Sequence, residues 1–174
     1  MILAEKYGVL EINLVTSRTD GDIKAQYPLA AEFDAIGGAQ NGMLLVVDEI
    51  GQEIKLPTDE TDYVYLHYSE EKVYDNLHSL KDFILTRKAP LPRLYKLVKG
   101  NTFTTNTVNT GVFTVDLLKA RDYKANPVYG VCGANGLINL VTTKPTTAPV
   151  VLKVQKFYTM PDGGPGIKFV VDKA

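Results

Sequence analysis

The feature that most constrains this chain is Asn135-Gly136, set between the β-favouring runs that begin at Val128 and end at Thr143. Asn and Gly tolerate the positive φ that a two-residue type I′ turn requires. Such a turn predicts Gly133 opposite Ile138, Val131 opposite Leu140 and Tyr129 opposite Thr142. One face then carries Tyr129, Val131, Ile138 and Leu140, and the other carries smaller groups around Gly130 and Cys132. A slip of one residue would reverse both faces, so turn and pattern have to agree.

The device recurs along the chain. Met43 to Leu56 reads as a hairpin whose Glu49-Ile50-Gly51 loop places Gly in the left-handed position, with Val46 opposite Ile54 and Leu44 opposite Leu56. Arg93 to Val108 reads as another, turning at Gly100-Asn101 and pairing Val98 with Phe103. The threonines of its second strand suit an exposed pleated surface. Val150 to Thr159 and Ile167 to Val171 form a last pair around the Pro161–Gly166 turn. Val150, Leu152, Val154 and Tyr158 share a face that Lys156 interrupts, and a bulge near Gln155 would instead turn Phe157 inward.

Other segments are shorter. Asp62 to Tyr68 reads as a strand, as do Val9 to Val15 and Ile23 to Leu29. Ala30 to Ile36 reads as a brief helical piece stopped by Gly37-Gly38. Val115 to Arg121 reads as a short helix. Residues 69–87 have apolar residues at helical spacing and are assigned to helix, with Asp82 to Leu85 as an alternative strand. Short strands joined by turns, with few helices between them, predict a mainly β fold: antiparallel hairpins forming a barrel or sandwich, with one or two short helices. Residues 1–25 are expected to form an N-terminal arm or edge strand, and residues 26–174 a single β-rich domain.

Composition limits the function. A length of 174 residues suffices for one sizeable core, and 45% apolar content argues against global disorder. A net charge of −1 is unlike a protein whose main task is holding nucleic acid. Glu5, Lys6 and Glu11 break any signal-peptide core, and no apolar run approaches the ~18 residues of a membrane helix. Synthesis in a cytoplasm, with no membrane partner, is the expectation.

The chemical signals are sparse. Cys132 is the only cysteine, so it reads as a small buried hydrophobe. His67 and His78 lack the spacing of a helical zinc pair. A triad built from them and Ser17, Ser69 or Ser79 lacks a GxSxG turn. Asp59, Glu60 and Asp62 read as a solvated loop without EF-hand spacing, as do Asp20 and Asp22. Asp162 belongs to its turn. Arg87, Lys88, Arg93, Lys96 and Lys99 read as a solvated rim. No glycine pattern supports nucleotide binding. Neither catalytic, cofactor-binding nor metal-ligating residues are assigned, and no cofactor is expected.

Three runs carry a resemblance: Asn41-Gly42-Met43-Leu44-Leu45-Val46-Val47-Asp48, then Arg93 through Asn106 (RLYKLVKGNTFTTN), then Tyr158-Thr159-Met160-Pro161-Asp162-Gly163-Gly164. Together they resemble small virion proteins of tailed bacteriophages, the head-decoration and minor structural proteins. The resemblance implies a β-rich, non-enzymatic protein on the outer capsid surface, whose partners are copies of itself and the major capsid protein. No catalytic residue comes with it. Two other classes are weighed. One is a β-barrel module for a small ligand or glycan. The other is a hydrolase built from distant carboxylates such as Asp59 and Glu70.

Overall fold

The computed structural model describes residues 3, 8–11, 23–69, 82–87 and 91–174. Two sheets account for most of them. The larger is seven-stranded, ordered β1-β7-β12-β11-β9-β10-β8, and consists of β1 (Leu10–Glu11), β7 (Thr102–Thr105), β8 (Val108–Asn109), β9 (Tyr129–Cys132), β10 (Ile138–Val141), β11 (Val151–Thr159) and β12 (Pro165–Lys173). The smaller is five-stranded, ordered β2-β6-β5-β3-β4, from β2 (Ile23–Lys24), β3 (Leu44–Asp48), β4 (Glu53–Lys55), β5 (Tyr65–His67) and β6 (Leu94–Tyr95). All pairings are antiparallel except β8 with β10. A 3-10 helix, Ala31–Ile36, ends at Gly37 in the left-handed region, and α1, Val115–Ala120, is capped by the Thr114 side chain.

The fold is mainly β, as the pattern predicts, but it does not close. The seven-stranded sheet ends in β1 on one side and β8 on the other, so the barrel is replaced by two packed sheets. Between them lie Leu44, Leu66 and Tyr95 from the smaller sheet and Phe103, Ile138, Leu152 and Phe169 from the larger. The rings of Phe103 and Phe169 stand 5.7 Å apart between centroids. These side chains fill the space that a ligand-binding barrel would keep open.

β3 is buried on both faces, which explains its unbroken apolar run. Leu44 and Val46 face the larger sheet, while Leu45 and Val47 face a second cluster holding Leu29, Phe33, Ile54 and Leu85. This cluster lies over the outer side of the five-stranded sheet, closed by the 3-10 helix and by Leu85, which bridges to Ala39 in extended conformation. Of the alternative strand Asp82 to Leu85, only the Leu85 bridge forms, and Asp82 lies in a 3-10 turn. The helix expected over the rest of 69–87 falls mostly on residues 70–81, outside the described residues.

The register differs from expectation in two hairpins, for one physical reason. Val47, not Val46, lies opposite Ile54, and Asp48 lies opposite Glu53. The loop is one residue longer because Gln52, with φ 54°, takes the left-handed position expected of Gly51. The Asp48 carboxylate accepts the N–H groups of Ile50 (3.1 Å) and Gly51 (2.8 Å) and so organises the longer loop. In the β9–β10 hairpin, Ile138 faces Cys132 and Leu140 faces Gly130. Gly136 N–H donates to the Gly133 carbonyl at 2.8 Å, and Gly133 N–H to the Leu137 carbonyl at 2.9 Å. This is a three-residue loop with Gly136 alone left-handed (φ 76°), not a type I′ turn. The first strand is therefore turned over. Cys132 joins Ile138 and Leu140 in the inter-sheet core, and Val131 packs on the opposite face with Ala148 and Val151.

The expected Arg93–Val108 hairpin does not form. Leu94–Tyr95 pairs with β2 and β5 in one sheet, and Thr102–Thr105 pairs with β1 and β12 in the other. Gly100 (φ 94°) and Asn101 carry the chain across, both bonding to Val171. The last hairpin follows the bulge reading. The register shifts between Val154 and Lys156, Phe157 packs on the core and Tyr158 does not.

Candidate functional site

A threonine-rich strand was expected at the surface, yet Thr104, Thr105, Thr107 and Thr110 are fully buried. A buried hydroxyl needs a partner, and Thr105 and Thr107 find theirs far away in sequence. Thr105 Oγ1 donates to the Val9 carbonyl at 2.9 Å and accepts from Thr107 N–H at 3.1 Å. Thr107 Oγ1 donates to the Asn41 carbonyl at 2.8 Å. Asn106 Oδ1 accepts from Val9 N–H at 2.6 Å, and Gln40 Oε1 from Gly8 N–H at 2.7 Å. Gly42 (φ 90°) is required here, because a Cβ would fall 2.2 Å from Thr105 Oγ1.

The junction continues into His67 and Ser69 at the end of β5. His67 Nδ1 lies 2.8 Å from the Gln40 carbonyl, and Nε2 lies 2.9 Å from Ser69 Oγ. A carbonyl only accepts, so the proton sits on Nδ1 and Nε2 receives the Ser69 hydroxyl. Ser69 N–H donates to Asn41 Oδ1 at 2.8 Å. His67 is completely buried, and that desolvation pushes its pKa down to about 4 against a weaker opposing pull from the Gln40 carbonyl. The imidazole is neutral at pH 7.

A neutral histidine accepting a serine proton is the first half of a nucleophilic relay. Here the group behind the histidine is a main-chain carbonyl rather than a carboxylate, and Ser69 is 6% exposed. The arrangement joins the 39–43 segment, β5, and the turn between β7 and β8 to the N-terminal strand. Ser17, Ser79 and His78 lie outside the described residues.

The other sequence candidates are dispersed. Cys132 is buried, its Sγ 3.2 Å from the Asp59 carbonyl that accepts from it. Burial and then the nearby Asp62 push the thiol up to about 11, the opposite of a reactive thiol. Asp59 accepts from Thr61 N–H (2.7 Å) and Oγ1 (2.6 Å), bonds that hold its pKa below the usual value. Asp62 accepts from Thr58 N–H at 2.6 Å, and Glu60 from Thr147 Oγ1 at 3.3 Å. Among the described residues, no three His, Cys, Asp or Glu side chains gather as a metal site. Asp162 accepts from Gly164 N–H at 3.0 Å, as a turn residue does. Asp20, Asp22, Glu70 and Lys88 lie outside the described residues. Arg87 pairs with Asp34 at 2.6 Å, while Arg93, Lys96 and Lys99 are exposed on the stretch that crosses between sheets.

The surface carries a different signal. Ile50, at the tip of the β3–β4 hairpin, is 97% exposed, and Val112, just before α1, is 84% exposed. Leu117 on α1 is also exposed.

No helix among the described residues is long and apolar enough to cross a membrane. No protein-family model, no curated protein and no solved structure matches the chain.

Proposed function

We propose that this chain is a non-enzymatic structural protein of a virion, which decorates and stabilises a phage capsid through subunit contacts. The observation that carries this reading is the placement of Ile50 and Val112, nearly bare apolar side chains on turn tips. The groups best suited to bond-making support it from the other side, since His67, Ser69 and Cys132 are enclosed and engaged in internal hydrogen bonds. The work is then mechanical. Copies of the chain, with the major capsid protein as partner, bury apolar and polar surface across capsomer boundaries, and rupture of the shell must break those contacts together.

The test is co-sedimentation of purified protein with mature capsid shells, together with mass spectrometry of purified virions. Saturable binding and a stoichiometric presence in virions are expected. Protein that neither binds shells nor occurs in virions refutes the reading.

A further inference from the structure

A strand at the border of a sheet leaves backbone donors and acceptors without a neighbour. The borders of this protein are treated unequally. Residues 28–30 run beside β4, with Ile54 N–H donating to the Pro28 carbonyl and Ala30 N–H to the Ile54 carbonyl, both at 2.8 Å. At β8, the Val108 carbonyl accepts from Leu3 N–H at 3.2 Å. β11 is handled differently. Its first half lies between β12 and β9, with Leu152 and Lys153 opposite Gly130 and Tyr129, and Val154 N–H reaches the Val128 carbonyl at 2.9 Å. Beyond that point β9 has no further residues, while β11 runs on to Thr159.

Antiparallel hydrogen-bond alternation tells which groups of the far half point outward. Met160 N–H donates to the Gly164 carbonyl at 2.9 Å. Stepping back along the ladder, Tyr158 with Gly166 and Lys156 with Lys168 are the pairs that exchange bonds inside the hairpin. Phe157 and Thr159 therefore aim N–H and C=O away from β12, and they meet no backbone partner there among the described residues. Helix α1 runs close to β11, and its Lys119 ammonium stands 5.6 Å from the Phe157 ring centroid.

We propose that this open half of β11 pairs antiparallel with the same edge of a second copy of the chain, about a two-fold axis at Phe157. Phe157 then faces Phe157 of the second copy, Gln155 faces Thr159, and Lys156 faces Tyr158. The register follows from charge and length. A slip one way sets Lys156 against Lys156 of the second copy, and a slip the other way runs the overlap into the Met160 turn. Lys156 already keeps its ammonium 5.6 Å from the ring centroid of its own Tyr158, a contact that the pairing repeats between copies. Lys156 and Lys168 stand opposite each other within each hairpin, so the joined edges gather positive charge and salt strengthens the dimer. This inference is independent of the capsid reading, because it concerns free protein.

Sedimentation velocity on the full chain tests it. A reversible monomer–dimer equilibrium is expected, with more dimer at higher salt. Thr159→Pro removes an outward N–H that the hairpin does not use and raises the dimer Kd by about tenfold or more, whereas Thr159→Ala leaves it unchanged. If circular dichroism shows Thr159→Pro misfolded, the double variant Gln155→Cys with Thr159→Cys decides. Oxidation should join it into a covalent dimer, with each single variant forming no cross-link at that edge. A chain that stays monomeric up to ~1 mM, a dimer indifferent to a folded Thr159→Pro, or no cross-link in the double variant overturns the proposal.

Discussion

His67 shows how one enclosed side chain makes a fold sensitive to acid. Its ordinary pKa of 6.5 is lowered to about 4 in the folded chain, so the unfolded chain binds the proton more readily. Stability from this group is complete above pH 6.5 and declines as pH falls from 6.5 to 4, by roughly 3 kcal/mol in all. Urea unfolding at steps between pH 7 and 4 should show that slope, and His67→Gln should flatten it relative to the parent chain. Equal slopes would mean that carboxylates alone govern the acid limb. Gly130 makes a comparable point about space. A Cβ there would sit 2.7 Å from Ile138 Cγ2 and 3.2 Å from Phe169 Cε1, both in the packed core. Gly130→Ala is expected to destabilise the chain by about 1–3 kcal/mol, read from the urea midpoint.

At the scale of elements, the β9–β10 loop separates two turn geometries experimentally. A type I′ turn needs positive φ at both Asn135 and Gly136, whereas the observed loop needs it only at Gly136. Gly136→Ala should cost about 1–2 kcal/mol, and Asn135→Ala less than about 0.5 kcal/mol, since only the 3.2 Å bond to Leu137 N–H is lost. Comparable losses at both positions would indicate the tighter turn. Helix α1 depends on its cap in the same local way. Thr114 Oγ1 accepts from Leu117 N–H at 3.2 Å, and Thr114→Ala should cost about 1 kcal/mol of stability by chemical denaturation. The sequence pattern sets both hairpin registers one residue away from those observed, because side-chain alternation is satisfied by either face when both faces are apolar. Val46 and Val47, or Cys132 and Val131, offer nearly equal hydrophobicity to the two sides, and Gln52 in a left-handed position has no sequence signature of its own. The Gln155 bulge was legible because Lys156 breaks an otherwise apolar face.

For the whole molecule, the proposed capsid contact would rest on bare turn tips that lie apart from the inter-sheet core. Ile50 is 97% exposed, so Ile50→Asp should leave the thermal midpoint nearly unchanged, within about 0.5 kcal/mol, while weakening sedimentation with capsid shells. Unaltered binding in that variant would remove Ile50 from the contact surface.

What the sequence determined by itself is the local grammar: short β segments, turns at glycine and proline, the stop at Gly37-Gly38 and the helix after Thr114. These follow from period-two alternation and the φ range of each residue, which act within a few positions. The tertiary structure decided which sheet receives Leu94–Tyr95 and which receives Thr102–Thr105, and with it the burial of the threonines. Threonine favours a strand whether or not its hydroxyl is wetted. Burying that hydroxyl at little cost depends on an acceptor: those of Thr105 and Thr107 lie 96 and 66 residues away at Val9 and Asn41, while Thr104 Oγ1 is buried with no partner among the described residues. No local pattern encodes a partner at that distance, and only the packed sheets supply it.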